Sequence, residues 1–146
     1  MPNRPPYYEQ ETDYSCAVAC LRMVLEALDM VMSEGELRDK CQTDFMGTRF
    51  NLLVRAAKDL GFDKSQSATL SLEELQSELN RGIFPIVYIK DRLAENQPYQ
   101  QHAVVVIEIS ESEVVTLDPF RGEYTFPRED FARKWGATRW QTVLIE

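Results

Sequence analysis

The chain has 146 residues, 44% of them apolar and 10% aromatic, with a net charge of -8 and a pI near 4.7. That length and apolar content specify one domain, residues 1–146, with a real core, and exclude a disordered chain. The acidic balance excludes the basic footprint that nucleic-acid binding needs, and no window approaches the roughly 20 apolar residues required to span a bilayer.

The opening run MPNRPPYYEQETDYS has no apolar stretch of the kind a signal peptide carries. The protein therefore reads as cytoplasmic. Three cysteines, an odd number, argue against a disulfide framework in that reducing compartment. Residues 1–9, with three prolines and no periodicity, read as an N-terminal arm packed through Tyr7 and Tyr8. A helix is predicted over 16–28, where Cys16, Ala19, Cys20, Met23, Val24, Ala27 and Leu28 mark one face. Arg22 and Glu26, four residues apart, would form a solvent-side pair. Thr12, Asp13 and Ser15 are the cap candidates at its start.

Helices are also predicted over 34–41 and 72–80, each introduced by a capping-box spacing: Ser33 with Glu36, and Ser71 with Glu74. Between them, 48–60 reads as a helix with Phe50, Leu53, Val54, Ala57 and Leu60 inward and Gly61 as its stop. After Gly82 the texture changes to β-branched and aromatic runs. Strands are predicted over 83–89, 102–109, 113–118 and 122–127, followed by a short helix over 128–135 and a closing strand over 140–145. Helices first and a strand meander afterwards is an α+β pattern.

Chemistry concentrates in a few residues. Cys16 sits at a helix N-terminus, where partial positive charge and free N–H groups favour a thiolate. The alternative is a small apolar core residue, the usual role of a free cysteine. Cys20, one turn further in among apolar neighbours, reads as core, and Cys41 reads as structural. His102 is the only histidine and opens a strand beside a polar loop. If 102–109 and 113–118 form a hairpin, Asp118 lies beside His102 and is placed to fix its tautomer and orientation. Taken alone, Asp118 would merely start the turn before Pro119. Gln10, six residues before Cys16, is placed to donate to an oxyanion alongside the Cys16 N–H. A zinc site built from Cys16, Cys20, Cys41 and His102 is the rival constellation. Its spacing does not match the usual zinc patterns, so no metal or other cofactor is expected.

The run QETDYSCAVACLRMVL resembles the N-terminal motif of the bacteriocin-processing, double-glycine peptidases, which are papain-like cysteine peptidases often fused to ATP-driven exporters. Gln10, Cys16, Ala19, Cys20, Leu21 and Met23 carry the match. HAVVVIEISESEVVTLDPFRG is similar to the family's histidine strand and Asp-Pro turn, through His102, Asp118, Pro119 and Gly122. FPREDFARKWGA is similar to the family's next segment. The family usually has aspartate and glycine flanking the cysteine, where this chain has Ser15 and Ala17.

The resemblance implies a papain-like fold, with the nucleophile helix packed on a C-terminal antiparallel sheet. It implies Cys16 as nucleophile, His102 as base and acid, Asp118 as its orienting partner, and Gln10 in the oxyanion hole. The substrate would be a peptide or protein cut after a Gly-Gly-type leader, and the exporter, if a partner, would be encoded separately. A peptide-binding adaptor of the same fold and a Cys-His-Asp acyltransferase are the alternatives. The non-catalytic versions of the domain lack the cysteine, which this chain keeps.

Overall fold

The computed structural model describes residues 4–146, so the N-terminal arm is seen from Arg4 onward. Helix α1 spans Cys16–Ala27, with Ala17 to Leu21, Met23 to Leu25 and Ala27 all buried. Its two charged residues do not pair with each other. Both are drawn to the arm instead: the Arg22 guanidinium stacks 3.7 Å from the Tyr8 ring centroid. The Tyr8 hydroxyl donates to Glu26 Oε1 at 2.6 Å. An aromatic face plus a phenol offers both charges a partner that a solvent-exposed Arg–Glu pair could not better.

Helices α2 (Glu34–Lys40) and α3 (Phe50–Asp59) come next, with the Ser33–Glu36 capping box formed in both directions. Helix α3 begins two residues later than its pattern suggests, and Phe50 lies on the exposed side while Leu53, Ala56 and Ala57 face inward. Gly61 closes it with φ of +104°, which only glycine adopts without strain. A short strand that the sequence did not announce, β1 (Gln66–Thr69), precedes the fourth helix. Then come α4 (Leu72–Asn80), capped by the second box, and the strands β2 (Ile86–Asp91), β3 (Gln100–Ile109), β4 (Glu113–Asp118) and β5 (Gly122–Pro127). Helix α5 (Arg128–Gly136) and β6 (Gln141–Leu144) complete the chain. Strand β2 starts at Ile86 rather than 83: Pro85 has no N–H to give the ladder, and its carbonyl accepts from Val106 N–H at 2.9 Å.

All neighbouring strands run antiparallel, in the order β1-β6-β2-β3-β4-β5. Side chains alternate across this sheet and build two cores. Ile86, Tyr88, Ala103, Val105 and Leu117 pack with α1, α2 and α3. Val87, Ile89, Val104, Val106 and Val114 pack on the opposite side with Leu75 of α4 and Phe126, Phe131 and Trp135. The helices therefore cover both faces, with α4 crossing to the side away from α1. Each fully buried Leu or Phe contributes about 1.5–3 kcal/mol, so both layers are needed to hold the sheet. The β3–β4 hairpin sets Val105 opposite Leu117, which carries Asp118 toward the first residues of β3.

Candidate active site

Cys16 is the first residue of α1, and Ala19 N–H to Ser15 O at 3.0 Å is the first bond of the helical ladder. The N–H groups of Cys16 and Ala17 thus precede that ladder. Ser15 occupies the N-cap position without a side-chain cap. Its buried hydroxyl is instead engaged with the Thr12 backbone, accepting from Thr12 N–H at 3.0 Å and donating to its carbonyl at 3.2 Å. The helix end is left unblocked, which is what an anionic sulfur there requires.

His102, on β3, lines the same cleft as Cys16, and its Nε2–H donates to Asp118 Oδ1 at 2.7 Å. Nδ1 is then the ring nitrogen left for the sulfur. The imidazole and the carboxylate are both buried, whereas Cys16 is partly exposed. Burial opposes a charged imidazole, but the hydrogen bond to Asp118 and the adjacent Cys16 sulfur outweigh it, holding His102 up at about 9. Burial likewise opposes a Cys16 thiolate. The hydrogen bond and charge of His102, with the N–H groups of Ala103 and Ala17, overcome this and hold the thiol below its ordinary value. Asp118 is also disfavoured by burial, and His102 and Arg121 bring it below the usual carboxylate range. These shifts all favour a thiolate–imidazolium pair steadied by a carboxylate.

Gln10 meets this site from the arm. Its backbone N–H donates to Pro119 O at 2.9 Å, and the Tyr7 hydroxyl donates to Asp118 O at 2.8 Å, so the arm is fastened to the Asp-Pro turn. One Nε2 hydrogen of Gln10 bonds Thr12 O at 2.8 Å. The amide carries a second N–H. The side chain lines, with Cys16 and His102, a cleft of about 460 Å³ whose rim holds Tyr14, Phe45, Met46 and Phe120. Phe45 and Met46, both 80% exposed, form the tip of the turn closed by the Asp44–Gly47 bridge.

Cys20 and Cys41 take no part. Burial raises the Cys20 thiol well above its usual value, with the Cys16 and Asp118 charges adding to it, and burial lifts Cys41 to about 12. Among the described residues no group of three or more His, Cys, Asp or Glu side chains is gathered to hold a metal ion.

Two residues around the site escaped the sequence reading. Arg121 reaches Asp118 Oδ2 through Nε and Asp91 Oδ2 through Nη2, each at 2.8 Å. Asp91, at the end of β2, is buried and also meets Lys134 Nζ of α5 at 2.9 Å. The available signal was an arginine three residues after Asp118 in LDPFRG, within reach of that carboxylate across a tight turn.

A helix that opens on a cysteine, set against an antiparallel sheet that carries the histidine and aspartate, is the arrangement of the papain-like cysteine-peptidase class of fold. Residues 4–140 match the family model described as the Peptidase C39 family, and the chain belongs to that family. It is 29% identical over 126 residues to the lactococcin-G-processing and transport ATP-binding protein LagD of Lactococcus lactis. It is 26% identical over 131 residues to the mesentericin-Y105 transport/processing ATP-binding protein MesD of Leuconostoc mesenteroides. Those alignments cover 86% and 88% of this chain but only 17% of each relative.

Among solved structures, a double glycine motif protease from an AMS/PCAT transporter, in complex with the leader peptide, superposes with a TM-score of 0.76 at 21% identity. It covers 97% of this chain and 89% of that one. The peptidase domain of Streptococcus ComA, a bifunctional ABC transporter of a quorum-sensing pathway, gives a TM-score of 0.75 at 21% identity. There the coverage is 98% of each chain. The α+β papain-like fold expected from the sequence is thus the fold found. Among the described residues no helix is long and apolar enough to cross a membrane.

Proposed function

We propose that this protein is an active cysteine peptidase that hydrolyses a peptide bond after a Gly-Gly-type leader site, with Cys16, His102, Asp118 and Gln10 as its machinery. The observation that carries the reading is the 2.7 Å His102–Asp118 hydrogen bond set at a cleft that the first residue of α1, Cys16, also lines.

The Cys16 thiolate attacks the scissile carbonyl carbon and forms a tetrahedral intermediate. The oxyanion is held by the Cys16 N–H and by the second Nε2 hydrogen of Gln10. His102 passes its Nδ1 proton to the leaving amine as the C–N bond breaks, leaving a thioester. The neutral imidazole then takes a proton from water, which attacks the thioester and releases the acid and the thiolate. Asp118 keeps the ring in the required tautomer and stabilises its charge. Small residues before the scissile bond let the substrate backbone reach the sulfur between the bulky rim side chains.

Residues 1–146 then form one papain-like unit whose arm serves the site. It works in the cytoplasm on a peptide precursor, with a peptide exporter as its partner. The names of LagD and MesD, which describe processing and transport of lactococcin G and mesentericin Y105, support that substrate class and a link to peptide export. The test is incubation of the protein with synthetic precursor peptides carrying Gly-Gly, Gly-Ala or Leu-Leu before the leader junction. Cleavage of the first two and none by Cys16→Ala is expected. Equal cleavage by Cys16→Ala, or none by the native chain, overturns the reading.

A further inference from the structure

Asp118 is completely enclosed, and its two oxygens are not served equally. Oδ1 accepts from His102 Nε2–H, from Phe120 N–H at 2.8 Å and from Arg121 N–H at 3.2 Å. Oδ2 accepts from the Arg121 side chain at 2.8 Å. Arg121 is itself held in place: its other arm is on Asp91, and its guanidinium lies 4.1 Å from the Tyr124 ring centroid and 5.4 Å from that of Phe126. Asp91 in turn accepts from Lys134 Nζ, which also meets Asp130 at 3.0 Å. Charges therefore alternate from the imidazole to α5: His102, Asp118, Arg121, Asp91, Lys134, Asp130. Helix α5 packs on the face of the sheet opposite α1, so the chain of charges links the side carrying Cys16 to the far layer.

We propose that Arg121 is a positioning residue for the imidazole: by bridging Asp118 and Asp91 it locks the Asp118 carboxylate against His102 and braces that carboxylate through Lys134 on α5. A fork with donors on two faces suits this bridge, and a lysine ammonium does not replace it. The role rests on the reading of His102 as the proton carrier, and its test does not depend on that reading.

Two effects of removing Arg121 oppose each other, which makes the outcome diagnostic. Loss of a nearby positive charge, by itself, favours protonated His102 and raises its midpoint. Loss of the bridge leaves Oδ2 buried and bare, so the carboxylate takes up a proton or turns away, and His102 loses its counter-charge. The other groups facing this pair are Cys16 and Cys20 from α1 and Tyr7 from the arm. None of these can replace the guanidinium, because none is a cation.

His102 is the only histidine, so an untagged protein gives a single imidazole resonance to titrate by nitrogen NMR. The native midpoint is expected at about 9. Arg121→Gln is expected to lower it by about one pH unit or more, and Arg121→Lys to restore it only in part. If the peptidase reading also holds, kcat falls about tenfold or more with KM little changed. An unmoved or raised His102 midpoint in folded Arg121→Gln overturns the proposal. Should that variant fail to fold, Asp91→Asn decides: a smaller fall in the midpoint supports the brace, and no change overturns it. A native chain without peptidase activity would sink the functional reading while leaving this titration interpretable.

Discussion

The first turn of α1 and the second turn hold the same functional group with its acidity displaced in opposite directions. Cys16, in the first, faces the cleft with backbone N–H groups and an imidazole around its sulfur, and is held below the ordinary thiol range. Cys20, in the second, is enclosed by the core and pushed well above it. The distance between the two positions is one helical turn. The difference in acidity is made by surroundings, namely an unblocked helix end and a charged partner delivered by the sheet, and the thiol itself contributes no distinction.

Asp118→Asn gives the largest perturbation of that contrast. It keeps the shape of the site but removes the charge that holds His102 protonated, so Cys16 should drift toward the inert state of Cys20. A loss in kcat on the order of 10³-fold or more is expected, with the active pH range narrowed from both sides, measured by steady-state cleavage across pH. Gln10→Ala separates nucleophile formation from oxyanion stabilisation. The thiolate should persist, read as unchanged alkylation of Cys16 by iodoacetamide, while kcat falls about 10²–10³-fold. Normal turnover in this variant would remove Gln10 from the oxyanion hole.

The pH profile of the native chain sharpens the comparison further. The acid limb tracks Cys16 as it loses its proton, and the alkaline limb tracks His102 as it loses its own, near 9. A rate still rising above that limb would contradict the ion pair. Cys20→Ala is the smallest change. Activity within about twofold of native is expected, with a loss of about 1 kcal/mol in denaturant stability from the small void left in the core.

How much of this could be read from the chain differs by region, for physical reasons. Helix α1 and the strands β3 and β4 were legible because each buries an apolar face, which writes a period into the sequence. Both capping boxes were legible because serine and glutamate must sit at that one spacing to serve the free N–H groups. Strand β1 was not: Gln66–Thr69 is almost wholly exposed, and its pairing with β6 is held by backbone hydrogen bonds that leave no mark on side-chain choice. The crossing of α4 to the far face was equally hidden, since an amphipathic helix does not say which face it will cover. At the site, Cys16, His102 and Asp118 came from position and the hairpin argument. The Gln10 amide was legible, but its bond to Thr12 O was not, because that bond depends on the turn taken by residues 12–15. Arg121 and Asp91 were hidden because they lie 30 residues apart and only the sheet brings them together.

The most direct measurement of the central claim is the ultraviolet titration of thiolate absorbance in the native chain and in Cys16→Ala. The expected result is one thiolate that forms below the ordinary thiol range, absent from Cys16→Ala and retained in Cys20→Ala. A thiolate that forms only above the reference value of about 8.5 in the native chain would contradict the ion pair at the end of α1 and the mechanism built on it.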